Sequence, residues 1–128
     1  MLMIDWERES YGDLKALNEL GKDKKNSYTV EQLLNPQLKN IGGESNEEVR
    51  RRMLEFVNEV VNKNLSGRIA VVSHGAAIKF LLQNWCEYVY KEDSFYFNDE
   101  LVCSQKLESP SVIKLVFNGA ILNSIQLI

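Results

Sequence analysis

The stretch that decides the fold runs from Ile69 to Leu82 and reads IAVVSHGAAIKFLL. Ile69 to Val72 is a short, continuous apolar run, Ser73-His74-Gly75 interrupts it, and apolar residues then recur at helical spacing. Continuous rather than alternating apolarity predicts a strand covered on both faces, as in a parallel sheet. The residues from Gly75 onward predict a helix whose buried side takes in Ile78, Leu81, Leu82, Trp85 and Val89. Strand, tight junction and helix follow the logic of an α/β domain rather than a helical bundle. His74, the one histidine of the chain, therefore stands at a strand's C-terminal end and a helix's N-terminus. Ligands of open parallel sheets sit at that edge. The unpaired N–H groups of a helix start favour an anion there, and Gly75 allows close approach. An imidazole in that place can donate to a phosphoryl oxygen or exchange a proton with it. It can equally be an idle N-terminal residue, and the spacing alone leaves both readings open.

Working outward, GGESNEEVRRRMLEFVNEVVNKNLSG, Gly42 to Gly67, carries the clearest helix pattern. Ser45 with Glu48 three residues on makes a capping box, each side chain satisfying a backbone N–H that the first turn leaves unpaired. Val49, Met53, Phe56, Val57, Val60 and Val61 form one apolar stripe, and Ser66-Gly67 ends it. Before this, TVEQLLNP predicts a short helix with Thr29 as its cap and Pro36 past its end, and KDKKNS reads as a solvated basic connector. The segment WERESYGDLKALNELG opens with charge and turns at Tyr11-Gly12-Asp13. It continues as a helix through Leu14, Leu17 and Leu20 to a stop at Gly21. The tail is β. Tyr96 to Val102 predicts strand around a polar turn at Asn98-Asp99, and SVIKLVF and AILNSIQLI flank an Asn118-Gly119 hairpin turn, with Pro110 ahead of them.

The bulk numbers set the bounds. A chain of 128 residues, 45% hydrophobic and 26% charged, fits one globular domain with a real core, and no repeat or linker divides it. A net charge of −3 gives no basic field for nucleic acid, and a phosphorylated ligand would need locally placed cations. No apolar run reaches the roughly 20 residues needed to span a bilayer, and MLMIDWERES has acids where an export signal would have a basic start. Cys86 and Cys103 lack metal-type spacing; without an export signal, reduced thiols and a cytoplasmic setting are expected.

Other chemistry is thinly supported. Glu7 and Glu9 flank Arg8 ahead of a Tyr-Gly turn, where a carboxyl could be tuned as a proton donor; alone, the cluster reads better as a solvated charged face. GGES lacks the lysine and spacing of a Walker loop, and Arg50, Arg51 and Arg52 fan around their helix. One histidine and two distant cysteines make no zinc site, and no G-x-S-x-G elbow is present.

In this order the pieces resemble the histidine phosphatase superfamily, the phosphoglycerate-mutase-like proteins. ERESYGDLKALNEL is similar to that family's acid-containing segment, GGESNEEVRRRMLEF to its G-G-E-S helix, and IAVVSHGAAIKFLL to its strand-turn-helix. SPSVIKLVFNGAILNSI resembles its closing hairpin. The resemblance implies a partial three-layer α/β/α sandwich, with a mostly parallel sheet and a C-terminal antiparallel hairpin, over a single, incomplete domain at 1–128. It implies phosphoryl transfer through a phosphohistidine, with no metal or other cofactor. A nucleophilic histidine attacks phosphorus, two arginines and a second histidine hold the oxygens, and a glutamate protonates the leaving group. His74 matches the second histidine, and the Gly75 backbone the adjoining phosphate-binding donor. Glu7 matches the acid by keeping the Glu-Arg pair, with one extra residue in the turn; Glu9 is the alternative. The family's later glycine is Ala16 here.

The larger departure is an absence. Family members begin with a strand ending in R-H-G, which supplies the nucleophile, and this chain has no R-H-G. It therefore looks truncated at the N-terminus, lacks the central strand beside Ile69–Val72, and is expected to be inactive alone. The expected ligand is phosphate or a phosphomonoester, with no nucleic acid and no membrane. A homodimer through the exposed sheet edge is also expected. The alternative is a non-catalytic, anion-binding or self-associating module. For a full family member phosphatase is favoured over mutase, because the segment between LNELG and GGES is short for a mutase cap.

Overall fold

The computed structural model describes residues 2–5, 22–39, 42–63, 67–108 and 110–128. The charged segment with Glu7 and Glu9 and the helix expected at Leu14–Leu20 lie outside the described residues. Described elements, in order, are β1 (Leu2–Asp5), α1 (Lys22–Leu34), α2 (Asn46–Asn62), β2 (Ile69–Val72) and α3 (Gly75–Leu82). Then come β3 (Glu87–Val89), a 3₁₀ turn, β4 (Ser94–Phe97), β5 (Glu100–Ser104), β6 (Ile113–Asn118) and β7 (Ile121–Leu127). The mixed α/β class stands. Of the mostly parallel sheet, the described residues show one parallel pair, β1 with β2. The antiparallel ladder β3-β4-β5 and the β6-β7 hairpin account for the other strands.

The capping box forms as its spacing requires. Glu48 N–H donates to Ser45 Oγ at 3.2 Å and Ser45 N–H to Glu48 Oε2 at 3.4 Å. Lys39 Nζ also donates to Glu48 Oε1 at 2.9 Å. That contact first, and the Ser45 backbone bond second, hold the Glu48 carboxyl below its ordinary value. Val49 and Met53 are buried, whereas Phe56, Val57, Val60 and Val61 are half-buried. α2 stops at Asn62, short of the expected Ser66-Gly67.

α1 corrects the reading of its region. The expected basic connector is helical from Lys22, and Thr29, the expected cap, is a buried mid-helix residue. Thr29, Gln32 and Leu33 fall at the spacing of one helix face and are all buried, so tertiary burial overrides the weak local signal. Gln32 Nε2 then donates to the carbonyls of Leu38 and Glu44, tying the turn after α1 to the GGES loop. Asn46 Nδ2 donates to Gln32 O at 2.9 Å and to Gln83 Oε1 at 2.6 Å, and Gln83 Nε2 donates to Leu33 O. These amides join α1, the start of α2 and the end of α3.

α3 is shorter than expected, closing at Leu82, because the chain turns through Gln83–Trp85 and enters β3. Ala76, Ala77, Phe80, Leu81 and Leu82 bury together with Leu33, Val49, Met53, Phe95, Val102 and Ile125. Each large side chain so buried contributes about 1.5–3 kcal/mol of transfer free energy. Trp85 meets Phe117 edge-on at 6.3 Å, seating the last hairpin. Asn98 and Asp99 have φ of 50° and 65°, the positive values a two-residue turn needs, as expected. The last turn is displaced by one residue. Asn118 pairs with Ile121, and Gly119, at φ 62°, takes the turn with Ala120.

The expectation of a strand buried on both faces fails at β2. Ile69 and Ala70 are half-buried, but Val71 and Val72, which point to opposite faces, are 40% and 48% exposed, so neither face is covered at the C-terminal end of the strand. Cys86 and Cys103 are buried free thiols. Burial, then the neighbouring Cys103, pushes Cys86 up to about 12; burial also raises Cys103, against the opposing charge of Lys79.

Three outcomes follow from these contacts. Ser45→Ala should cost about 1 kcal/mol in urea unfolding. The carboxyl of Glu48 titrates lower when folded, so its contribution is present above 4.5 and fades as pH falls through the folded value. The stability gap between wild type and Glu48→Gln should therefore narrow on acidification. With both thiols held protonated, Ellman's reagent at pH 8 should react slowly with the native protein and rapidly with both cysteines after denaturation. Fast native labelling would contradict the buried placement.

Candidate functional site

The junction of β2 and α3 places His74 where the sequence puts it. β2 ends at Val72, and His74 is the N-cap of α3, with extended backbone (φ −103°, ψ 154°). Its carbonyl accepts the first helical bond, from Ile78 N–H at 3.0 Å. Its imidazole caps no backbone N–H and is exposed, so it is available to an incoming group. By helix geometry the N–H groups of Gly75, Ala76 and Ala77 have no acceptor within α3. The first turn carries no acidic residue to compete for them.

Gly75 contributes space rather than an unusual backbone angle. A Cβ built there meets nothing within 4 Å, so a ligand can approach the main chain on that side. Partial positive charge at the helix start and an exposed imidazole beside it are features that favour an oxyanion; Gly75 is exposed there, whereas Ala76 and Ala77 are buried. Ser73 Oγ lies buried behind this junction with no hydrogen-bond partner among the described residues.

β1 runs alongside the strand that leads to His74. Its parallel register pairs Asp5 with Val72. Asp5 stands two residues before Glu7 in the chain, and Val72 two residues before His74. Glu7 and Glu9 themselves lie outside the described residues, so the structure brings together His74 and Gly75 of the expected site. The arginine run fans around its helix but is solvated only in part: Arg51 is exposed, Arg50 and Arg52 are half-buried, and Arg52 reaches Glu44 Oε1 at 3.3 Å, bracing the GGES loop. Among the described residues no group of three or more His, Cys, Asp or Glu is placed to hold a metal ion. No described helix is long and apolar enough to cross a membrane.

One feature of this helix escaped the sequence reading. Lys79 is 6% exposed and donates to Gln105 Oε1 at 2.9 Å. Its spacing from Ala76 puts it on the buried arc, a signal that the apolar pattern of IKFLL held but that a lysine obscures.

The model of the histidine phosphatase superfamily (branch 1) matches residues 7–105. No curated protein and no solved structure matches the chain. The matched span takes in Glu7, Glu9, the capped GGES helix and the His74 junction, and ends before β6 and β7, so the likeness of the closing hairpin is not part of it. That span is well over half of the chain and holds three of the four segments on which the resemblance rests. This chain therefore belongs to the histidine phosphatase superfamily, branch 1.

Proposed function

We propose that the β2–α3 junction is a phosphoryl-binding site of the histidine phosphatase type, and that this chain by itself binds phosphate or a phosphomonoester without turning it over. The observation that carries the reading is the exposed, non-capping imidazole of His74 at the acid-free start of a helix. In this reading His74 donates to a phosphoryl oxygen and the Gly75 main chain donates to a second. Glu7, or alternatively Glu9, is the acid that protonates the leaving oxygen, and the β1 register supports its approach from the neighbouring strand. With one histidine in the second-histidine position, no imidazole remains to attack phosphorus. Losing a covalent nucleophile removes orders of magnitude in rate. The domain is read as a single, incomplete phosphoglycerate-mutase-like sandwich with a mostly parallel sheet, working in the cytoplasm without metal or cofactor.

A second reading is favoured by the exposed Val71 and Val72 of β2. In it the edge of β2 that no described strand covers pairs with a second copy of the chain, giving a self-associating, non-catalytic module.

With p-nitrophenyl phosphate as substrate, the purified chain should show no turnover above background; robust turnover abolished by His74→Ala would overturn the inactivity. Inorganic phosphate at ten times its Kd should stabilise the fold by about 1.4 kcal/mol, and His74→Ala should remove that gain. An unchanged melting temperature with phosphate would remove the anion site. Light scattering decides the second reading. A dimer that Val71→Lys dissociates supports it, and a wild-type monomer at high concentration ends it.

A further inference from the structure

α3 is short, and most of its buried face is apolar. Apolar packing resists separation but is non-directional, so it leaves a short helix free to pivot unless directional bonds hold it at more than one point. One such hold is at its C-terminal end, where Gln83 bonds to Asn46 and to Leu33 O. The other is Lys79, in mid-helix. Lys79 Nζ donates to Gln105 Oε1 at 2.9 Å, and Gln105 is fully buried. Gln105 is itself fixed: its N–H donates to Asp93 O at 2.8 Å, and its Nε2 lies 3.5 Å from both Asp93 carboxylate oxygens. Tyr88 OH donates to Asp93 Oδ1 at 2.5 Å. Burial first, then the Asp93 carboxylate, raises the Tyr88 phenol well above its ordinary value, so it remains a donor. The chain Lys79–Gln105–Asp93–Tyr88 thus anchors the middle of α3 to the β3-β4-β5 ladder.

We propose that Lys79 is a positioning residue for the anion site. Together with Gln83 it fixes the tilt of α3, and with it the places of His74 and the Gly75–Ala77 N–H groups. This rests on the phosphoryl-binding reading above. Lys79 lies five residues, about 7.5 Å of helix rise, from His74, so it acts through the helix rather than by touching the ligand. A small pivot about the Gln83 end carries the N-terminus away from the oxyanion, and hydrogen-bond recognition tolerates displacements of only a few tenths of an ångström.

The single histidine makes the test direct, because its ring gives one set of imidazole NMR signals. Lys79→Met keeps the aliphatic stem and removes the donor. It should move the His74 ring resonances of the ligand-free protein and weaken inorganic phosphate binding about fivefold. Lys79→Arg, which keeps a cationic donor, should restore both. The double variant Lys79→Met/Gln105→Leu removes the donor and its Gln105 acceptor together. It should recover thermal stability relative to Lys79→Met while its His74 signals and phosphate affinity stay altered, which a merely stabilising role would not produce. Wild-type His74 resonances and wild-type phosphate affinity in Lys79→Met overturn the proposal. If Lys79→Met does not fold, the same result in the double variant overturns it. If wild type binds no phosphate, the anion reading falls, while the ligand-free His74 signals still decide the positioning role.

Discussion

The packing of α3 is the constraint on which the described structure turns. Ala77, Phe80 and Leu82 are buried essentially completely, and around them gather residues from α1, α2, β4, β5 and β7. The same helix must leave its first turn open, since His74 and Gly75 are exposed at its start. A helix so short cannot satisfy both demands by propensity, because isolated helices of that length are unstable in water. Tertiary contacts hold it instead: apolar burial along its body, the Gln83 amide bonds at its end, and Lys79 on its buried arc. Among the described residues of the helix, Gly75 at its start is the exposed one.

The elements most legible in the sequence were those set by short-range stereochemistry. Ser45 with Glu48 specifies a helix start through two reciprocal hydrogen bonds, and both are present. Asn98-Asp99 specifies a tight turn because both residues tolerate positive φ, and both adopt it. What was hard to read depends on contacts between distant segments. Nothing local in Lys22–Ser27 announces a helix, and Thr29 resembles a cap until Gln32 and Leu33 are seen to bury beside it. At the last hairpin Asn118-Gly119 and Gly119-Ala120 both offer a glycine to the turn, and the register of β6 against β7 selects the second. β2 was read as doubly covered because continuous apolarity is blind to what packs over each face. Exposed Val71 and Val72 are the result.

The site was legible by half. The apolar run, histidine, glycine and helix of Ile69–Leu82 point to a strand-to-helix junction, and the structure has it, with His74 as the extended N-cap and open space beside Gly75. Its second layer was invisible, since nothing about an amide at Gln105 marks it as the acceptor of a buried ammonium 26 residues away in sequence. The chemistry of the site divides accordingly. Helix-start N–H groups and one imidazole can bind and polarise a phosphoryl group. Forming a phosphohistidine and passing it on requires an attacking imidazole as well as one that holds the oxygens. This chain has a single histidine, and it stands where family resemblance puts the holding one.

The central claim is that the start of α3 recognises an oxyanion through its main chain and His74. Amide NMR of the full chain during an inorganic phosphate titration tests it most directly. The account predicts saturable shifts of the Gly75, Ala76 and Ala77 N–H resonances, with one Kd shared by the His74 ring and lost in His74→Ala. Shifts confined to surface lysines and arginines, with Gly75–Ala77 unmoved, would contradict it.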